Sequence, residues 1–340
     1  MSNETIKTLI TVPLSESLIE KLNQVSPRFH FHVQPVLKAS EITADIWAET
    51  EILYTSHILP EPGQAPELNW IQLHSSNADK VLSDPLLQNK NIKLTTPSGA
   101  NAAQTAEFTL MTMLALSHKL PDILQNQQNT KWDESQHSSL RPQELRGSTV
   151  GILGYGSVGR ELARLLQPFQ VKVLAIKQDV MHPQDIGYMP ENNGDPQGDL
   201  FHRLYPVQAL NSMLKECDFI IVCLPLTKES RDLIGEKEFE SMKSGAYLIN
   251  IASGEIIHAN ALINALRRKQ IAGAALDVFP EEPLAENSSF WKLPNTIISP
   301  HIASNSIWYN DRAVELFIEN LNRYLSGGQL LNQVDFEKGY

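Results

Sequence analysis

Gly154, Gly156 and Gly159 stand at the spacing Gly-x-Gly-x-x-Gly, directly behind the apolar run 148–153 and in front of a helical stretch, 160–167. Strand, turn and helix in that order give each glycine a separate task. Gly154 makes the tight turn, Gly156 lets the backbone approach a pyrophosphate, and Gly159 lets the helix pack on the strand. The N–H groups that open the helix, at Ser157 and Val158, then offer a partial positive charge to phosphate oxygens. A glycine turn that binds nothing is the alternative, and the flanking strand and helix argue against it.

The second residue of chemical interest is Lys177, at the end of the next apolar strand and about 20 residues past the turn, where an acidic residue ordinarily accepts the ribose 2′-hydroxyl of NAD. A lysine has no acceptor for that hydroxyl but suits a 2′-phosphate. NADP is therefore expected to be tolerated or preferred, and Asp179 two residues on keeps NAD possible.

Elements must position these residues, and the chain has a βα rhythm throughout. Residues 1–100 alternate strand-like runs (8–12, 29–33, 52–55, 70–74, 92–95) with a helical one at 15–22, as a small α/β domain would. A long apolar helix is expected over 102–120, followed by a polar arm or linker over 121–145. From residue 148 the strands become near-continuously apolar (149–153, 171–176, 219–223, 246–251, 272–276, 296–298), the pattern of a parallel sheet covered on both faces. Helices are expected at 207–214, 236–242, 260–268 and, at the end of the chain, 307–325. The stretch 179–203 exceeds the ~2–6 residues of an ordinary βα connection, and reads as a solvated insertion or as a flap beside the adenosine end of the site.

With 340 residues, 42% hydrophobic and 20% charged, the chain has room for two domains at ~100–200 residues each. A net charge of −11 without a Lys/Arg cluster excludes a nucleic-acid footprint and disfavours an anionic membrane surface. Only Cys217 and Cys223 occur, beside one apolar strand, so reduced thiols are expected rather than a disulfide framework. The N-terminal residues lack the pattern of a secretory signal, and a cytoplasmic location is the expectation. No metal site is expected.

Five ordered motifs carry a resemblance: Gly154–Gly159, Leu224-Pro225-Leu226-Thr227, Asn250-Ile251-Ala252-Ser253-Gly254, the run from Leu276-Asp277 to Glu282-Pro283, and Ser299-Pro300-His301. In order and register the chain resembles the D-isomer-specific 2-hydroxyacid dehydrogenases over essentially its whole length. Asn77-Ala78-Asp79, residues 98–102 and residues 332–335 resemble them too. The resemblance implies a two-domain α/β fold, with a Rossmann-type doubly wound parallel sheet (104–303) inserted into a smaller flavodoxin-like substrate domain (1–103 plus 304–340). It implies hydride transfer between NAD(P)H and a small 2-oxo or D-2-hydroxy acid, with His301 as the acid/base and Glu282 as the carboxylate that fixes its tautomer. It places Asn77 and Ala78 against the substrate. Ser157, Val158, Pro225, Thr227, Asp277 and Thr105 fall on the cofactor, with strand-end and helix-cap roles as alternatives for the last two. The 102–120 helix resembles the family's dimer helix, so a homodimer is expected, and a sedimentation mass of one chain would contradict it.

The departure is Ser253. The family pattern has arginine there, whose guanidinium binds the substrate carboxylate, and a serine cannot form that bidentate charged pair. Losing such a donor costs about 10²–10³ in rate. Three explanations stand side by side: a different substrate, including one without a carboxylate; a substitute cation, with Lys80, His74 and Arg141 as candidates; or cofactor binding with little turnover. The last would suit a nucleotide-sensing interaction protein resembling the C-terminal binding protein corepressors, a reading that the intact His301 and Glu282 oppose because a pure sensor has no need of an acid/base pair.

Overall fold

The computed structural model describes residues 5–76 and 78–339. The chain forms two compact units, one of Met1–Ala100, Ile186–Pro190 and Ser306–Tyr340, the other of Asn101–Asp185 and Glu191–Asn305.

The first unit holds β1 (Ile6–Ile10), β2 (Phe29–Val33), β3 (Ile52–Thr55), β4 (Trp70–Leu73) and β5 (Lys93–Thr95) in a parallel sheet of order β2-β1-β3-β4-β5. That is the flavodoxin-like order. The final helix, Tyr309–Leu325, packs Phe317 against Tyr54 and Trp70 at ring-centroid distances of 4.7 and 5.4 Å. Residues 186–190, which lie inside the expected 104–303 span, belong to this unit instead. The Tyr188 N–H donates to Asn332 Oδ1 (3.0 Å), and Asn332 in turn donates to the carbonyls of Thr96 and Ser98.

The second unit holds β6 (Thr149–Leu153), β7 (Lys172–Ile176), β8 (Arg203–Tyr205), β9 (Phe219–Val222), β10 (Tyr247–Asn250), β11 (Gly273–Leu276) and β12 (Thr296–Ile298). All run parallel in the order β12-β11-β10-β9-β6-β7-β8. Alternate side chains feed two cores: Val150, Ile152, Val173, Ile221 and Ile249 on one face, Leu153, Leu174, Ile220, Val222 and Leu248 on the other. Burial on both faces is why these strands read as continuous apolar runs. The chain leaves β6 through β7 and β8, then returns to the other side of β6 with β9. The order therefore reverses between β6 and β9, and the carboxyl ends of the strands at such a point form a ligand crevice.

Two expectations about elements need correction. The long apolar helix ends at Ser117. Lys119 takes a left-handed φ of 58°, its ammonium 2.6 Å from the Tyr247 hydroxyl, and a second helix, Leu120–Gln128, takes up the start of the supposed arm. Pro121 explains the break, since proline is tolerated in the first turn of a new helix but not inside the old one. The 179–203 stretch is not a freely solvated insertion. Arg160, 1% exposed on the helix after the glycine turn, donates to the carbonyls of Asp195 and Pro183 (both 2.5 Å) and pairs with Asp185 at 3.3 Å. Asp195, itself buried, accepts the Tyr155 hydroxyl at 2.6 Å and the N–H groups of Gly198, Asp199 and Leu200. A guanidinium removed from water needs such partners, and this stretch supplies them before ending in β8, a strand the sequence reading missed.

Both cysteines are free, and burial pushes each thiol up to about 12. No helix among the described residues is long and apolar enough to cross a membrane.

Candidate active site

The glycine turn follows β6. Gly154 has φ +104°, and a Cβ there would lie 2.8 Å from the Cys223 carbonyl oxygen and the Leu224 backbone, so the turn and the loop after β9 touch at the reversal point. A Cβ on Gly159 would strike the Gly154 carbonyl and the Ile152 side chain, whereas one on Gly156 would meet nothing within 4 Å. Two glycines thus serve packing and the middle one leaves space. Gly156 caps the helix Ser157–Leu166 without a side-chain bond, and the first helical bond runs from Arg160 N to Gly156 O at 2.9 Å. The N–H groups of Ser157, Val158 and Gly159 precede it and have no helical acceptor. The donor set and the open space at Gly156 fit a dinucleotide pyrophosphate.

Lys177 follows β7, and its ammonium donates to the carbonyls of His182 (2.5 Å) and Gln184 (3.2 Å). Burial, and then the nearby Arg160 guanidinium, hold its pKa below the ordinary lysine value. Asp179 is turned to His182 at 2.7 Å and to the Met181 N–H. After β9, the Ser230 hydroxyl closes the Pro225–Thr227 turn by donating to the Pro225 carbonyl at 2.8 Å and accepting the Thr227 N–H at 2.7 Å. Thr105 is buried on the helix Ala102–Ser117 and spends its hydroxyl proton on the Asn101 carbonyl at 2.9 Å.

The three loops that follow β10, β11 and β12 form one connected array. After β11, Asp277 is 2% exposed, and its carboxylate accepts the Ser299 hydroxyl (2.5 Å) and the N–H groups of Ile302 (2.9 Å) and Ala303 (2.8 Å). Its carbonyl accepts the His301 N–H at 2.9 Å. These bonds hold His301 at φ 53°, a left-handed conformation that a histidine adopts at a cost. His301 Nδ1 lies 2.7 Å from Glu282 Oε2, while Glu282 Oε1 accepts the Phe279 N–H at 2.9 Å. A carboxylate only accepts, so Nδ1 carries the hydrogen and Nε2 is the nitrogen free to exchange a proton with a ligand.

Ser253 follows β10. Its carbonyl accepts from Asn250 Nδ2 at 2.9 Å, and Gly254 presses on the Phe279 and Pro280 backbone so closely that no Cβ fits. That contact joins the Ser253 loop to the turn bearing Glu282. The Ser253 hydroxyl donates to Glu255 Oε2 at 2.6 Å, and Glu255 Oε1 faces Arg231 Nη1 at 3.4 Å. Neither Glu255 nor Arg231 stood out in the sequence. Among the substitute cations, His74 and Arg141 have described side chains. His74, in the other unit, meets the Tyr54 hydroxyl at 2.7 Å, and burial lowers its pKa, favouring the neutral ring. Arg141 is exposed on the 129–148 segment, and the Lys80 side chain is outside the described residues. Ala78 is buried in the first unit, and Asn77 lies outside the described residues.

Residues 110–303 match the family described as D-isomer specific 2-hydroxyacid dehydrogenase, NAD binding domain. A glyoxylate reductase of Thermofilum pendens is 33% identical over 264 residues, covering 77% of this chain and 74% of the relative. The crystal structure of a D-isomer specific 2-hydroxyacid dehydrogenase family protein from Aeromonas salmonicida superposes with a TM-score of 0.76 at 27% identity, covering 98% of this chain and all of that one. An NADPH-dependent glyoxylate/hydroxypyruvate reductase of Sinorhizobium meliloti, solved with NADP and sulfate, shares the fold at a TM-score of 0.77 and 21% identity, covering 99% of this chain and all of that one. With these matches and the glycine turn in place, the chain belongs to the D-isomer specific 2-hydroxyacid dehydrogenases and is an NAD(P)-dependent enzyme of that family.

Proposed function

We propose that the protein reduces a small 2-oxo acid to its D-2-hydroxy acid, or runs the reverse reaction, with His301 as the acid/base. The observation that carries this reading is the His301–Glu282 pair, fixed at 2.7 Å on the same sheet edge as a glycine turn with an open phosphate approach. A carbonyl becoming an alkoxide needs a proton near neutral pH, and a histidine with one committed nitrogen and one free nitrogen can supply it. A bound nicotinamide cofactor supplies or accepts the hydride. Glu282 holds the ring in one tautomer. Gly156 and the N–H groups of Ser157, Val158 and Gly159 would hold the pyrophosphate, with Pro225 and Thr227 toward the adenosine.

Asp277 has both carboxylate oxygens engaged within the chain, and Thr105 has its hydroxyl proton engaged. For Asp277 we therefore favour a positioning role under His301 over direct contact with the nicotinamide carboxamide. Asn77 and Ala78 remain candidates for the substrate carboxylate. Exposed Met111, Leu120, Ile123 and Leu124 on the two helices after residue 101 suit a homodimer contact.

For Lys177, the ammonium now held by two carbonyls would turn to a 2′-phosphate. Lys177→Asp is expected to weaken NADPH binding roughly 10–100-fold, as loss of a hydrogen bond to a charged group does, and to improve NADH binding. Calorimetric titration with both cofactors checks this, and an unchanged NADPH affinity would remove Lys177 from the site. The function itself is tested by ketone-dependent oxidation of NADPH or NADH with a D-configured product. The absent arginine favours a second reading, a cofactor-sensing protein with little turnover, and tight cofactor binding without any reduction would select it.

A further inference from the structure

Two loops at the carboxyl edge of the sheet, those after β9 and β10, bring Arg231 beside Glu255 and Ser253. The segment after β9 is laced to the one after β10: Asp232 N donates to Glu255 O at 2.8 Å and Ile234 N to Ile256 O at 3.1 Å, while Arg231 N is held within its own segment by Thr227 O at 3.1 Å. Arg231 is thereby set beside Glu255. The side-chain contacts are graded. Ser253 to Glu255 is a short, charge-assisted bond of 2.6 Å, whereas Glu255 to Arg231 is a long one of 3.4 Å between side chains 36% and 53% exposed.

We infer that Arg231 is the substrate-binding cation that stands in for the arginine absent at position 253. The inference rests on the reading of the site as one for a 2-oxo acid. Unpaired, Glu255 beside Ser253 would repel the carboxylate of such a substrate, and the serine hydroxyl is already committed to it. Arg231 neutralises that charge, and its exposed pair with Glu255 is of the kind worth little in water. A substrate carboxylate can take the other N–H groups of the guanidinium as a bidentate, charge-assisted partner while Nη1 stays on Glu255. Ser253 and Glu255 then act as positioning residues: the hydroxyl fixes the carboxylate, and the carboxylate parks the guanidinium.

The test compares glyoxylate with methyl glyoxylate, which keeps the reacting aldehyde and lacks the charge, in the wild type, Arg231→Ala and Arg231→Lys. Arg231→Ala is expected to lower kcat/KM for glyoxylate about 10–100-fold, mainly through KM, as loss of a charged hydrogen bond does. The ester should change little, which also shows that the variant is folded, and Arg231→Lys should recover part of the loss. Equal losses on both substrates, or none on either, would overturn the assignment. Oxalate binding to the NADPH-loaded protein, measured by calorimetry, gives a readout free of turnover. If the wild type reduces neither compound yet binds oxalate in an Arg231-dependent way, the dehydrogenase reading falls and this assignment stands. Glyoxylate reduction indifferent to Arg231 does the opposite, and absence of both turnover and oxalate binding removes both.

Discussion

His301→Asn is expected to lower kcat for glyoxylate reduction by about 10²–10⁴-fold, the usual contribution of a positioned acid/base, while leaving the affinity for NADPH unchanged. The separation follows from the site's construction. His301 belongs to the loop after β12, whereas the glycine turn follows β6, four strands away in the sheet. The variant also loses nothing buried, because the imidazole is 56% exposed and, among the described residues, its side-chain bond is to Glu282. Steady-state rates beside a cofactor titration check both halves. A kcat within a few-fold of wild type would mean that the proton comes from elsewhere.

The second large effect is at Asp277, and here stability and rate should fall together. Asp277→Ala strands three donors, the Ser299 hydroxyl and the N–H groups of Ile302 and Ala303, in a position that is 2% exposed. Leaving a buried donor without its acceptor costs about 1–3 kcal/mol each. Partial relaxation toward water reduces the sum, so a loss of roughly 3 kcal/mol is expected, or about 6–12 °C in the Tm of a unit this size. Without those bonds the left-handed backbone at His301 also loses its support, and kcat should drop even at temperatures where the variant is folded. Asp277→Asn keeps an acceptor and should fall between. A melting curve unchanged in Asp277→Ala would show that Asp277 is not the anchor of the loop.

Most of the architecture was legible because burial on both faces writes itself into sequence: β6, β7, β9, β10 and β11 each appear as a near-continuous apolar run. The glycine turn was legible for a related reason, since three packing demands at fixed spacing leave few alternatives to glycine. What escaped was decided by tertiary contacts. β8 is three residues long, with Tyr205 its only buried member, and follows a polar stretch that offers no periodicity. Arg160 looks like an ordinary helix-surface residue, and only the folded 179–203 stretch turns it into a buried anchor. At the site, His301, Glu282 and Ser253 could be named from motifs, but not that the serine hydroxyl is spent on Glu255. Arg231 and Glu255 are 24 positions apart and meet only because two parallel strands deliver their loops to one edge.

The most direct measurement is the initial rate of NADPH and NADH oxidation with glyoxylate, hydroxypyruvate, pyruvate and bulkier 2-oxo acids, with the product's configuration determined. Saturable oxidation is expected with at least one of the small acids, with one 2-hydroxy acid formed per cofactor consumed, D-configured wherever the product is chiral, and the rate lowered at least about 10²-fold by His301→Asn. Tight cofactor binding with no oxidation on any of them, or an L-configured product, would contradict it.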